Sequence, residues 1–162
     1  MGVEHLFSGS AVDAVGSDGA VTLPPFILRV MENLGDGRVM VGAHETDPCL
    51  TAWEPRRAPA IQAEVERRRL RDEMEGASTA DHHERARRAF GFVEDAIIVR
   101  GKLMLPPMMR RKGRIGGRVL FVGTGSSFEI WDPEIAREAG DPGLREIAEY
   151  RLGENEQGKG EA

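Results

Sequence analysis

Seven cations and no carboxylate lie between Arg100 and Arg118: Arg100, Lys102, Arg110, Arg111, Lys112, Arg114 and Arg118. The formal net charge of the chain is −5, so this local run of positive charge is masked by the overall balance. Guanidinium forks and ammonium point charges at such density grip phosphate oxygens, which makes the segment a candidate contact for a polyanion. The bland alternative for Arg110–Arg114 is a solvated helix end, where cations complement the helix dipole. Other chemistries find little support. Asp81-His82-His83-Glu84 has metal-ligating residue types, but neighbouring residues on a helix point in different directions, so no metal site is expected. Cys49 is the single cysteine, which excludes an intrachain disulfide and a multi-cysteine zinc site and fits a small buried hydrophobe in a reducing compartment. Gly123-Thr-Gly-Ser-Ser-Phe128 lies between strand-like segments with no helix after it, so it is not a dinucleotide loop. No Ser/His/Asp or Cys/His arrangement and no pair of carboxylates in an apolar setting is present. The chain is expected to have no catalytic residues and no cofactor.

The elements that position these cations come from a duplication. Gly19-Ala-Val-Thr-Leu-Pro-Pro25 is echoed by Gly101-Lys-Leu-Met-Leu-Pro-Pro107. Each copy alternates apolar residues (Val21 and Leu23; Leu103 and Leu105) at strand period, then meets a Pro-Pro step that marks a strand-to-helix change. Short helices are expected at Phe26–Asn33 and Met108–Lys112. Gly37-Arg-Val-Met-Val-Gly42 then matches Gly117-Arg-Val-Leu-Phe-Val-Gly123 with one inserted residue, and Trp53-Glu-Pro55 matches Trp131-Asp-Pro133. Cys49–Trp53 and Phe128–Trp131 read as further strands. Three matches in one order indicate two copies of a unit: strand, short helix, strand, turn, strand. Such a unit cannot bury its apolar face alone, whereas two copies facing each other can. Met104, Met108 and Met109 read as core filler, and Trp53 and Trp131 as residues packed at the ends of the fold.

Between the copies, Ala58–Glu75 and Asp81–Phe90 read as helices separated by Gly76-Ala-Ser-Thr, with Ser78 or Thr79 as a cap. Seven basic and seven acidic residues between Glu64 and Arg88 cancel, the pattern of solvated helices with intrahelical ion pairs. A last helix is expected over Asp141–Leu152, followed by a polar tail. Asp132 to Ala162 holds nine acidic and four basic residues, so this end carries the whole net charge. The length of 162 residues suits one compact domain or two halves sharing a core. With no apolar run long enough to span a bilayer and no signal-like start from Met1 to Ser10, a cytoplasmic protein is expected.

The tandem Gly-x-apolar-x-Leu-Pro cores with their late Trp-acidic-Pro ends resemble the MraZ family, two-repeat members of the SpoVT-AbrB transcription factors. Leu6-Phe-Ser-Gly-Ser10, His44-Glu-Thr-Asp-Pro-Cys-Leu50 and Pro106-Pro-Met-Met-Arg-Arg-Lys-Gly113 are similar to its alphaproteobacterial branch. The resemblance spans roughly Leu6 to Leu152. It implies an α+β, β-dominated fold: an AbrB-like swapped-hairpin (double-split) β-barrel formed by two tandem repeats, with peripheral helices. The first repeat is placed at 7–56, a helical linker at 57–91, the second repeat at 92–134, a C-terminal helical segment at 135–152 and a disordered tail at 153–162. It further implies ring-like homo-oligomers on double-stranded DNA, at direct repeats upstream of the division and cell-wall gene cluster, and a nucleoid-associated location.

The family's DNA-reading signature, Asp-x-x-x-Arg in each repeat, falls here on Gly16 and Ala20 and on Ile98 and Lys102. Neither aspartate nor arginine is present, and Asp18 stands where the family usually has lysine. A carboxylate near a guanidinium can hold it aimed for a two-pronged grip on phosphate or guanine; Ala20 cannot do this, and Lys102 keeps only the charge. The first repeat from Gly16 to Arg38 has Arg29 and Arg38 against Asp18, Glu32 and Asp36. Any DNA contact is therefore expected to rest on the second repeat, through Lys102, Arg100, Arg110, Arg111, Lys112 and Arg114. The expectation is a multivalent, DNA-binding transcriptional regulator of the MraZ type. The rival is an oligomeric interaction protein that has lost specific DNA binding with its signatures. An antitoxin-like role, as in shorter AbrB-fold proteins, is disfavoured by the length and the duplication.

Overall fold

The computed structural model describes residues 6–34, 37–76 and 78–160. The start of the chain to His5, Gly35-Asp36, Ala77 of the inter-helix break and the terminal Glu161-Ala162 lie outside them. Among the described residues, the chain forms eight strands, mostly in pairs separated by helices, and six α-helices. The first repeat supplies β1 (Ser10–Ala14), β2 (Ala20–Thr22), α1 (Pro25–Leu34), β3 (Arg38–Ala43) and β4 (Leu50–Trp53). A 3-10 turn (Pro55–Arg57) leads into α2 (Ala58–Met74) and α3 (Thr79–Phe90). The second repeat supplies β5 (Val93–Val99), β6 (Lys102–Met104), α4 (Pro107–Lys112), β7 (Arg118–Gly123) and β8 (Phe128–Trp131). The chain closes with α5 (Pro133–Arg137) and α6 (Pro142–Gly160).

The strands form one antiparallel sheet in the order β1-β7-β8-β4-β3-β5-β6-β2. A bridge from Val15 to Val21 brings β2 back to the chain leaving β1, so the sheet curls into a nearly closed barrel. Its pairing is pseudo-symmetric. Strand β1 of the first repeat lies on β7 of the second, and β5 of the second lies on β3 of the first. The equivalent strands β4 and β8 pair with each other, as do β2 and β6. Neither repeat completes a sheet from its own strands, which is the physical reason for the duplication. Exchange of this kind satisfies ladder hydrogen bonds that would otherwise be exposed edges.

Alternation sets the core. Val39 and Val41 of β3, Val119 and Phe121 of β7, Phe128 and Ile130 of β8, and the cross-strand pair Val21–Leu103 are fully buried in the barrel interior. Phe128 meets Phe7 edge-on with ring centroids 5.1 Å apart. The outer side of β7 and β8 is covered as well. Leu120 and Trp131 pack with Cys49, Ala136, Leu144 and Ala148 beneath α5 and α6. This explains why β7 reads as a continuous apolar run rather than an alternating one. The thiol of Cys49 is pushed up from its ordinary value by burial, with Glu129 and then Asp47 adding to the shift.

The Pro-Pro steps behave as the sequence predicts, with α1 and α4 starting at the second proline of each. Both Trp-acidic-Pro ends finish a strand and cap the next turn. Glu54 accepts from the Arg56 amide at 3.1 Å, and Asp132 accepts from the Glu134 and Ile135 amides at 2.9 and 3.3 Å. Met109 is fully buried and Met108 packs on the core, but Met104 is exposed on the outer face of β6, so it is not core filler. Helix α6 continues to Gly160, past the Leu152 end expected from its apolar spacing.

Candidate nucleic-acid interface

The outer face of the β2–β6 pair carries the two arginine positions of the signatures, Ala20 and Lys102, together. With Val21 and Leu103 turned inward, Ala20, Thr22, Lys102 and Met104 face out. Lys102 stands opposite Thr22, and Ala20 opposite Met104. Ala20 and Lys102 are thus diagonal neighbours, about 7–8 Å apart by sheet geometry. Each strand is entered by a tight turn, so both hairpin tips border the same surface.

The two tips are built differently. In the second repeat Val99 pairs with Lys102, and only Arg100 and Gly101 lie between them, at φ +52° and +75°. Two left-handed residues in a row suit the twist of a two-residue hairpin and project the Arg100 side chain at its apex. In the first repeat the Gly16 amide donates to the Ala20 carbonyl at 2.9 Å, and Ser17, Asp18 and Gly19 lie between. Gly19 takes φ +86°, and Asp18 accepts from the Ala20 amide at 3.0 Å, closing the turn with its carboxylate. The second loop is therefore one residue shorter. The residue across from Lys102, corresponding to Gly16, is Val99; Ile98 pairs with Leu103 and packs against the barrel core. The four-residue spacing of Ile98 and Lys102 places them on opposite faces of the hairpin, which sequence spacing alone did not reveal.

The predicted cations do not form one cluster. Arg100 and Lys102 are exposed at the second tip. Arg110, on α4, is half-buried and lies over Gly19 at the first tip. Arg111 is exposed on the same short helix. Lys112 turns to the Phe92 ring, with its ammonium 3.8 Å from the centroid. Phe92 precedes β5 and Arg100 follows it, so the ring that Lys112 meets is up to about 26 Å from the second tip by the rise of the strand. Arg114, at φ +52°, lines a cleft shared with Asp47, Glu129, Glu138 and Asp141. Arg118 pairs with Glu134 at 3.3 Å. In the first repeat, Arg29 is exposed on α1 and Arg38 pairs with Asp95. Because α4 reaches the first hairpin, positive charge from the second repeat is shared between both tips.

Polar networks elsewhere are structural. The Asp81 carboxylate and Ser78 hydroxyl complete a capping box at the start of α3, which accounts for the acidic end of Asp81-His82-His83-Glu84. Intrahelical pairs such as Arg68–Glu64 and Arg69–Glu73, both at 3.1 Å, run along α2. Glu45, in the turn after β3, also receives Arg68 of α2 and Arg85 of α3, tying both linker helices to the barrel. The hydrogen bond to Glu45 raises the Arg68 guanidinium further above its usual value.

Sequence reasoning also missed the meeting of His44, Asp47 and Glu129, residue types that can hold a metal. Their hydrogen bonds tell against one. His44 Nδ1 accepts from the Thr46 and Asp47 amides at 3.2 and 3.0 Å, so the proton of the neutral ring sits on Nε2, which faces Glu129 at 3.4 Å. Glu129 also accepts from Trp131 Nε1 at 3.0 Å. The trio reads as a polar contact between the turn after β3 and β8, in which Nδ1 of His44 is already taken up by backbone amides and Glu129 by the Trp131 indole. Among the described residues, no helix is long and apolar enough to cross a membrane.

No protein-family model matches the chain. It is similar along most of its length to curated proteins named transcriptional regulator MraZ. The one from Nitrosococcus oceani is 24% identical over 135 residues, covering 80% of this chain and 83% of the relative. That of Coxiella burnetii is 25% identical over 141 residues, 82% and 86% of the two chains. That of Gluconacetobacter diazotrophicus is 25% identical over 138 residues, 81% of each. These relatives carry a regulator's name, not an enzyme's. In this breadth of likeness, and in its two-repeat barrel, the chain is similar to the MraZ regulators.

Proposed function

We propose that this protein is a DNA-binding transcriptional regulator that lays the outer β2–β6 face and its two hairpin tips against duplex DNA. One observation carries the reading: the barrel brings the two arginine positions of the degenerate signatures, Ala20 and Lys102, to one outer face, bordered by Arg100 and Arg110. Phosphate contacts from these cations position the protein. Exposed Val99 and Met104 beside them suit the apolar edge that a thymine methyl presents. Lys102 is the one signature position that retains a charge, and Arg111 adds a further phosphate contact from α4. Lys112 and Arg114 contribute less, being engaged with Phe92 and an acidic cleft.

Such a face binds weakly alone, so the mechanism is multivalent: several protomers in a ring set equivalent faces on successive direct repeats upstream of the division and cell-wall genes. This implies a cytoplasmic, nucleoid-associated homo-oligomer. Light scattering should give a discrete assembly above dimer size, and a sharp monomer at micromolar concentration would contradict the mechanism. Titration of the protein against its own upstream region and against random DNA tests the function. Preference for the upstream duplex, with a steep salt dependence, is expected. Equal or absent binding would favour the second reading, an interaction protein that retains the barrel without specific DNA recognition. The observation in favour of that reading is the absence of an oriented carboxylate–guanidinium pair in either hairpin.

A further inference from the structure

Arg110 belongs to the second repeat by sequence, yet it covers the hairpin of the first. A Cβ built on Gly19 would stand 3.2 Å from both Cζ and Nε of Arg110, and Gly19 is buried despite its place at a turn. The pseudo-symmetric contact is apolar. Leu28 stands three residues after Pro25 as Arg110 stands three after Pro107, and it lies 3.6 Å from the corresponding point on Gly101. Sealing the turn therefore needs no charge, since leucine does it on the other side. Arg110 brings more than a seal: its Nε is buried without a hydrogen-bond partner under the packing on Gly19, while the residue stays only half-buried and, among the described residues, no hydrogen bond or ion pair engages its terminal Nη groups.

The turn it covers lacks a cation of its own. Gly16, Ser17, Gly19 and Ala20 carry no charge, and the Asp18 carboxylate is engaged with the Ala20 amide. We propose that Arg110 is the nucleic-acid-reading cation of the first repeat's hairpin, supplied from the second repeat across the barrel. This rests on the DNA-binding reading above and assigns the residue that completes its first site. A guanidinium laid flat on a turn has its fork held in direction, so less rotamer freedom is lost when it meets phosphate or the O6/N7 edge of guanine. The two sites then differ in origin: Arg100 and Lys102 come from the hairpin itself, whereas Arg110 crosses from the other repeat.

The test is Arg110→Leu, which copies Leu28 and keeps the seal, measured by anisotropy titration on the protein's own upstream duplex and on a scrambled duplex of the same composition. Preference for the upstream duplex should fall roughly tenfold, a difference of about 1.4 kcal/mol, with the melting temperature nearly unchanged. Arg111→Leu should weaken binding to both duplexes alike and leave the preference intact. Arg110→Lys should hold affinity for the scrambled duplex while losing preference, because charge remains and the fork is gone. Undiminished preference in folded Arg110→Leu, or an equal loss in Arg111→Leu, would overturn the proposal. If Arg110→Leu melts early, Arg110→Lys, which keeps a stem over Gly19, decides by the same criterion. A wild-type protein without preference for either duplex overturns the DNA-binding reading and this assignment together. Wild-type preference that survives Arg110→Leu and Arg110→Lys overturns the assignment alone.

Discussion

The first hairpin, from Gly16 to Ala20, and the second, from Val99 to Lys102, descend from one unit and occupy pseudo-equivalent places, yet they solve the same turn differently. The first uses three loop residues, one left-handed glycine and an aspartate that closes the turn on itself. The second uses two left-handed residues and raises Arg100 at its apex. Their seals differ as well, guanidinium over Gly19 and aliphatic over Gly101. The barrel beneath is symmetric, because burial constrains both repeats equally. The tips have been free to diverge in charge and length because, beyond the one side chain packed over each glycine, Gly16–Asp18 and Val99–Arg100 are exposed to solvent. Divergence at the tips on a common core is what separates the shared scaffold from the reading surface.

The largest expected effects test the common core. Phe128 of β8 and Leu50 of β4 are pseudo-equivalent and both fully buried. Phe128→Ala should cost about 3–5 kcal/mol and Leu50→Ala about 2–5 kcal/mol, since each opens a cavity in the same interior. Denaturant unfolding should stay a single transition in both variants. Two separated transitions would mean that the repeats are independent, contrary to their exchanged strands.

Next come the turns. Gly101→Ala forces a side chain into the left-handed region, at about 1–2 kcal/mol. Gly19→Ala meets the same strain and also approaches the Leu105 carbonyl to 3.1 Å and Arg110 to 3.2 Å. Thermal melts should therefore rank Gly19→Ala as the more damaging change. The reverse order would deny the packing of Arg110 on the first tip.

The difference in loop length sharpens the reading of the second tip. Val99→Asp with Lys102→Arg sets a carboxylate directly across from a guanidinium on the outer face and should raise preference for the upstream duplex, within the roughly 1–3 kcal/mol of a two-pronged base contact. Ile98→Asp with the same arginine should instead destabilise the fold, because Ile98 packs on the core and an unpaired carboxylate there is costly. A gain in specificity from the Ile98 pair and none from the Val99 pair would refute the register assigned here. In the first hairpin, Gly16→Asp would bring its Cβ within 2.8 Å of the Asp18 carboxylate, so it should help only when Asp18 is replaced as well.

Much of the scaffold was legible in the chain, for physical reasons that individual residues show. Pro24-Pro25 and Pro106-Pro107 can only end a strand and begin a helix, and they do. Ser78 caps α3 because its hydroxyl reaches the Asp81 amide. Strands β1 and β5 were not foreseen, since their partners lie in the opposite repeat and their own alternation is weak. The shortened second loop was hidden because the glycines at 19 and 101 anchor the alignment after the turn and conceal the missing residue before it. The place of Arg110 over Gly19 depends on how the repeats interlock, which no local pattern encodes. The run of cations from Arg100 to Arg118 looked continuous in sequence, yet the fold disperses it, sending Lys112 to Phe92 and Arg114 to the acidic cleft.

Smaller effects follow from that dispersal. Removing Arg100 or Lys102 should lower the log–log salt slope of DNA binding by about 0.9 each. Lys112→Ala and Arg114→Ala should change it by much less, and equal slopes in all four variants would restore a single basic cluster. Smallest is the pH effect of Cys49. Its folded thiol is held above the ordinary value of 9.0, so the unfolded chain loses the proton first and stability falls as pH rises through that value. Cys49→Ala should flatten this alkaline slope, and in the wild type the thiol should resist alkylation at pH 8 until the protein unfolds.

The central claim, that DNA is met by the outer β2–β6 face with tips from both repeats, is tested most directly by amide hydrogen exchange with and without the upstream duplex. The account predicts new protection concentrated at residues 16–22 and 99–104, with no change along α2, α3 or α6. Protection confined to those helices, or to the second hairpin alone, would contradict it.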